Sequence, residues 1–171
     1  MSEWRIPREA LLEGAKGCIE NGLRLRGDAE VLFRNKAYLS AHVLAVFSIE
    51  EFGKSVFLAK KYFAGTGVNE DEYEKIFTKH PAKISFFLEQ TADILPVKGD
   101  RQWTIEFFRR MGKEEHERKM RSIYVDWESG KWLLPSTKDN DEIQGHAFEA
   151  KKAASFMWYF AKEALRGIFP K

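Results

Sequence analysis

Ala45-Val46-Phe47-Ser48-Ile49-Glu50-Glu51-Phe52-Gly53-Lys54-Ser55-Val56-Phe57-Leu58 lies inside an apolar run from Ala37 to Phe63, and its reading decides the fold. Val46, Phe47, Ile49, Phe52, Val56, Phe57 and Leu58 call for the interior of a helical core. Ser40, Leu44, Phe47, Glu51, Ser55 and Leu58 step along one face at spacings of three and four, which predicts a helix over about 36–63. Two carboxylates and an ammonium have no cheap place in such a helix. Unpaired, a buried charge costs several kcal/mol or more, so these groups must be paired, solvated by a cleft, or serving a ligand. Glu50 and Lys54 are spaced i,i+4 and Glu51 and Lys54 i,i+3, so one lysine can neutralise either acid locally.

Outward from this helix the pattern stays helical. Pro7 suits the first turn of a helix running to about Phe33, with Leu11, Ala15, Cys18/Ile19, Leu25, Ala29, Leu32 and Phe33 as its apolar stripe. Gly14, Gly17, Gly22 and Gly27 weaken that helix unless they mark close packing. Gly65-Thr66-Gly67 ends the central helix. Shorter helices are expected over 70–77, from Pro81 to about Ile94, and from Trp103 to about Lys119.

Ser122 to Leu134 breaks the pattern. Ser122-Ile123-Tyr124-Val125-Asp126-Trp127, then Glu128-Ser129-Gly130-Lys131 and Trp132-Leu133-Leu134, read as a small hairpin or ordered loop. Asp139 or Asp141 is placed to cap a last helix reaching about Ile168. Its inward residues are expected to include Ala147, Phe148, Ala154, Phe156, Met157, Phe160, Ala161 and Leu165. The fold class is therefore all-α: a helical bundle, one domain over 1–171, with a small hairpin insertion near 122–135.

Composition narrows the function classes. Of 171 residues, 44% are hydrophobic and 14% aromatic, enough for a folded core. Twenty-eight basic against 26 acidic residues give a net charge of +2, so any nucleic-acid contact must come from local basic clusters. A single cysteine, Cys18, excludes an internal disulfide and a Cys-rich zinc site. Met1-Ser2-Glu3-Trp4-Arg5 lacks a signal-peptide core, and no uncharged apolar run reaches membrane-spanning length, so a cytoplasmic location without membrane contact is expected.

Three further groups carry chemical potential. His80-Pro81 with Lys83 places an imidazole and an ammonium at a helix start, where backbone N–H groups favour anions. Arg118, Lys119 and Arg121 lead into Tyr124-Val125-Asp126; if that part is extended, Tyr124 and Asp126 share one face. A di-metal carboxylate bundle would want Glu-x-x-His on two helices, whereas the central helix offers Glu51-x-x-Lys54, so no metal and no cofactor are expected. There is no Gly-x-x-x-x-Gly-Lys loop and no Gly-x-Ser-x-Gly elbow. His116, within Lys113-Glu114-Glu115-His116-Glu117, reads as part of a solvated face. His42 and His146 receive no partner from the spacing.

Ala45 to Lys54, Lys79-His80-x-x-Lys83, and Arg121-x-x-Tyr124-Val125-Asp126 with Gly130-Lys131-Trp132-x-x-Pro135 together resemble the AbiV family. These are phage abortive-infection proteins of the HEPN superfamily of helical, nucleic-acid-associated domains. The resemblance runs from about Ala10 to Pro135. It implies a HEPN-like bundle, commonly paired as a homodimer, that arrests translation as an RNA-targeting toxin. Matched by position, it implies a catalytic set of Glu50, Glu51, Lys54, His80, Arg121 and Asp126. Lys54, Lys83, Arg118, Arg121 and Tyr124 would bind RNA or phosphate. In that reading His80 acts as acid or base and a carboxylate orients it or activates a ribose hydroxyl, without metal. RNA or the ribosome is the implied partner, with a phage-encoded activator.

The alternative is a non-catalytic module that blocks translation by binding RNA, the ribosome or a phage protein, with Trp103, Trp127 and Trp132 as anchors. A third reading makes the polar set a buried structural network. Many HEPN ribonucleases carry an Arg, four to six residues, then His, with a polar residue after the Arg. Arg110 and His116 have the spacing, but Met111 follows the Arg; Arg109 and His116 also fit, with Arg110 following. RNA cleavage is left open at this point.

Overall fold

Helix ends, glycine contacts and one all-round apolar helix set the architecture of the computed structural model. It describes residues 4–78, 113–114, 116–120, 122–123, 126–128, 131–133, 135 and 140–166, with the backbone alone for 126–128, 131–133, 140, 141, 160 and 164. The order is a 3-10 turn Arg8–Ala10, α1 Leu11–Arg34, α2 Tyr38–Phe63, α3 Glu70–Tyr73 running into a π-helical turn Glu74–Thr78, β1 Asp126–Glu128, β2 Lys131–Leu133, and α4 Asn140–Ala164. Residues 113–114, 116–120 and 122–123 are also helical.

α2 is the hub, packed against both α1 and α4. Ala45, Val46, Phe52 and Val56 are completely buried, as a helix apolar on all sides requires. α1 turns Leu11, Ala15, Ile19, Gly22, Leu25 and Ala29 inward at spacings of three and four, the predicted stripe without Leu32 and Phe33, which are only half-buried. Gly22 explains one mid-helix glycine. A Cβ there would come within 2.6 Å of Phe52 Cε1, and the Ser48 hydroxyl donates to the Gly22 carbonyl at 2.8 Å. Gly14 likewise faces Leu58, 3.2 Å from a would-be Cβ, whereas Gly17 and Gly27 meet nothing. The idea that these glycines mark close packing therefore holds for two of the four.

The two long helices end alike. After α1, Lys36 takes a left-handed φ of 61°, while Lys36 N–H donates to Phe33 and Ala37 N–H to Leu32. After α2, Gly65 takes φ 73°, with Gly65 N–H on Tyr62 and Thr66 N–H on Lys61. Both are paired closures of orphan carbonyls; glycine makes the second without strain. Asn69 and Glu72 then form a reciprocal capping box that starts α3.

β1 and β2 form the expected antiparallel hairpin, with Asp126 opposite Leu133, Trp127 opposite Trp132 and Glu128 opposite Lys131. Its start is later than expected: Ser122 and Ile123 are still helical, and the Ser122 hydroxyl bonds back to the Arg118 carbonyl at 2.8 Å. Asp141 lies inside α4 rather than before it, and Asp139, the other expected cap, lies outside the described residues. The inner face of α4 is made by Ala147, Ala150, Ala154, Met157 and Ala161, with Leu165 just beyond. Phe148 and Phe156 point outward, 47% and 52% exposed, because small residues occupy the face that meets α1 and α2. The helices expected over 81–94 and before residue 113 lie outside the described residues.

Candidate functional site

On a helix, adjacent residues point about 100° apart, so Glu50 and Glu51 cannot share one environment. Glu50 turns into the core, 3% exposed, and its carboxylate is met by the Lys119 ammonium, itself 1% exposed. Lys119 comes from 69 residues further along the chain, and its Nζ also lies 4.7 Å from the Phe47 ring centroid. Glu51 is held by Lys54 at 2.6 Å, both side chains mostly covered. The two acids are thus neutralised separately. Lys54 does not serve Glu50, and neither acid is left over.

Around the Glu51–Lys54 pair lie two further groups. The Cys18 thiol of α1 hydrogen-bonds the Glu51 carboxylate; burial first, then the Glu51 charge, push its pKa up to about 12 against the opposing pull of Lys54. From the π-helical turn, Phe77 sets its ring 6.0 Å from Lys54 Nζ and stacks on Tyr73 with centroids 5.0 Å apart. The cluster is therefore a low-dielectric seam between α1, α2 and the segment after α3.

Of the residues flagged in the sequence, Glu51 and Lys54 are brought together on α2, while Glu50 turns away to Lys119. Arg118 is exposed in part and pairs with Glu114 of its own helical turn at 3.5 Å. Asp126 opens β1, where only its backbone is described. His80, Lys83, Arg121 and Tyr124 lie outside the described residues. Two participants were not assigned to the site from the sequence: Lys119, named only within the basic run of Arg118, Lys119 and Arg121, and Cys18, read as part of the apolar stripe of α1 and as the single cysteine. His116 is half-buried with Nδ1 shielded from solvent, not part of a solvated face, and sits three residues before Lys119 on the same side of its turn.

A second titratable pair joins α2 to α4. His42, buried at 2% exposure, lies with its ring centroid 6.5 Å from that of His146, whose Nε2 is 3.2 Å from Glu142. Among the described residues no group of three or more His, Cys, Asp or Glu could hold a metal ion, and no helix is long and apolar enough to cross a membrane.

The HEPN_AbiV family model, described as AbiV, matches residues 10–153. No curated protein and no solved structure matches the chain.

Proposed function

The chain belongs to the AbiV family of HEPN proteins, and from that premise we propose that it is an abortive-infection protein acting against phage by arresting translation as an RNA-targeting toxin. The observation that carries the reading is the pair of ammonium–carboxylate contacts at Glu50–Lys119 and Glu51–Lys54, within the matched region and inside an otherwise apolar helix. Such polar seams cost more than apolar packing and are kept where specificity or chemistry needs them.

In this proposal Lys54, Lys83, Arg118 and Arg121 bind phosphate oxygens, with Tyr124 against the RNA. His80 moves the proton and Asp126 orients it or activates the ribose 2′-hydroxyl, whose attack on the adjacent phosphorus expels the 5′-oxygen, while Glu50 and Glu51, each held by its own lysine, support the site from α2. No metal takes part. His116 is a second candidate for the proton transfer, because it lies on the face of its turn that carries Lys119 to Glu50. A homodimer and a phage-encoded activator belong to the same proposal.

The second reading is a binding module without catalysis. It is favoured by the exposed Phe148, Phe156 and Tyr159 of α4, 47%, 52% and 58% exposed, the side-chain types that anchor interfaces. Titration of the purified chain into a translation extract, with the extract's RNA then resolved on a gel, separates the two. Inhibition at far below one chain per ribosome, with cut RNA, supports the toxin. A one-to-one endpoint with intact RNA supports the module.

A further inference from the structure

Trp4 to Arg8 cross the corner where α2 gives way to α3. Ile6 N–H donates to the Val68 carbonyl at 3.0 Å, and Val68 N–H to the Ile6 carbonyl at 2.9 Å. Arg8 Nε donates to the Tyr62 carbonyl at 3.2 Å, its guanidinium 4.4 Å from the Tyr62 ring centroid. Gly67 lies under the crossing: a Cβ there would come within 2.7 Å of the Ile6 carbonyl oxygen and of Trp4 Cγ. Close approach of the strap, rather than a left-handed φ, is what requires glycine at this position.

So held, the strap sets Arg5 on α3. Its guanidinium carbon lies 5.0 Å from the Tyr73 ring centroid, and its Nε 3.7 Å from the Glu70 carboxylate. Tyr73 stacks on Phe77 with 19° between the planes, and the Phe77 centroid is 6.0 Å from Lys54 Nζ. Two cations thus flank a pair of stacked rings, each drawn to a negative ring face. This relay joins a segment ahead of the matched residues 10–153 to the ammonium that pairs with Glu51. Buried Ile76 and the Lys61–Glu72 ion pair at 2.6 Å keep α3 and its turn on the bundle without Arg5. Arg5 therefore bears on how the two rings are set, not on whether the segment is attached.

We propose that Arg5 is a positioning residue for Lys54, fixing the Tyr73–Phe77 stack that shields the ammonium. A cation over an aromatic face at an exposed site shifts an equilibrium by about two- to fivefold. With Arg5 54% exposed, an effect of that size is expected here. The relay belongs to the folded chain whatever Lys54 binds.

The test is acylation of lysines by an N-hydroxysuccinimide ester on the full chain at about pH 8, read site by site by mass spectrometry. Arg5→Ala should speed modification of Lys54 by about two- to fivefold, and Tyr73→Leu by at least as much. Tyr73→Phe, which keeps the ring, and Glu70→Gln, which removes only the ion pair, should keep the parent rate. Lys151, which joins α4 to Glu30 of α1, should hold its parent rate throughout. An unchanged Lys54 rate in Arg5→Ala, or an equal rise at Lys151, would overturn the relay. So would a Tyr73→Phe chain as reactive as Tyr73→Leu, or Glu70→Gln as reactive as Arg5→Ala. The last comparison involves two exposed side chains and decides the matter even if Tyr73→Leu fails to fold.

Discussion

Glu50 and Lys119 form an ion pair buried from solvent on both sides, joining α2 to a turn 69 residues later in the chain. Breaking one side of such a pair is expected to cost about 3–5 kcal/mol, most of it the penalty of the stranded charge. Lys119→Met alone should therefore lower the urea midpoint sharply. The Glu50→Met/Lys119→Met chain should return to the parent midpoint or exceed it.

Gly22 lets α1 approach Phe52 closely. Gly22→Ala gains helix propensity of about 1 kcal/mol but places a methyl within 2.6 Å of the Phe52 ring. Overpacking of this kind costs about 1–3 kcal/mol, so the net effect should be destabilising. Adding Phe52→Leu to Gly22→Ala should cost less than Phe52→Leu costs in the parent, as measured by a double-mutant cycle in urea.

The Cys18 thiol, with a pKa of about 12 against an ordinary 9.0, should resist alkylation. At pH 8 its thiolate fraction is roughly a thousandfold below that of the unfolded chain, so iodoacetamide should label it only at the rate of opening. The folded state binds this proton more tightly than the unfolded one. Its contribution therefore lowers stability as pH rises above 9.0. Cys18→Ala should flatten that alkaline loss in a series of melting curves.

Glu30 on α1 lies 2.5 Å from Lys151 of α4 and 2.9 Å from Arg34. Lys151 first, then Arg34, hold its carboxyl below the ordinary 4.5. A depressed folded value stabilises above pH 4.5 and is lost as pH falls through it. Because Glu30 is 41% exposed, the effect should stay below about 1 kcal/mol. The Tm gap between parent and Glu30→Gln should narrow as the pH is taken below the ordinary 4.5 and shrink in high salt.

The central helix was legible because its apolar residues run all round, and α1 because its small and large apolar residues keep helical spacing. The hairpin was legible from its flanking tryptophans and Gly130. The partner of Glu50 was not. Local spacing offered Lys54, which in fact serves Glu51, and nothing in a charged run marks Lys119 as the lysine that goes inside. Phe148 and Phe156 were read as inward because they are apolar; close packing of α4 reserves that face for alanines. His42 and His146 meet only through tertiary packing, which no single-helix pattern carries.

The proposed arrest of translation by action on RNA is best tested with the RNA integrity profile of cells expressing the chain, beside a His80→Ala/Arg121→Ala variant. Discrete tRNA or rRNA fragments are expected with the parent and none with the variant. Intact RNA in cells whose protein synthesis has stopped would contradict it.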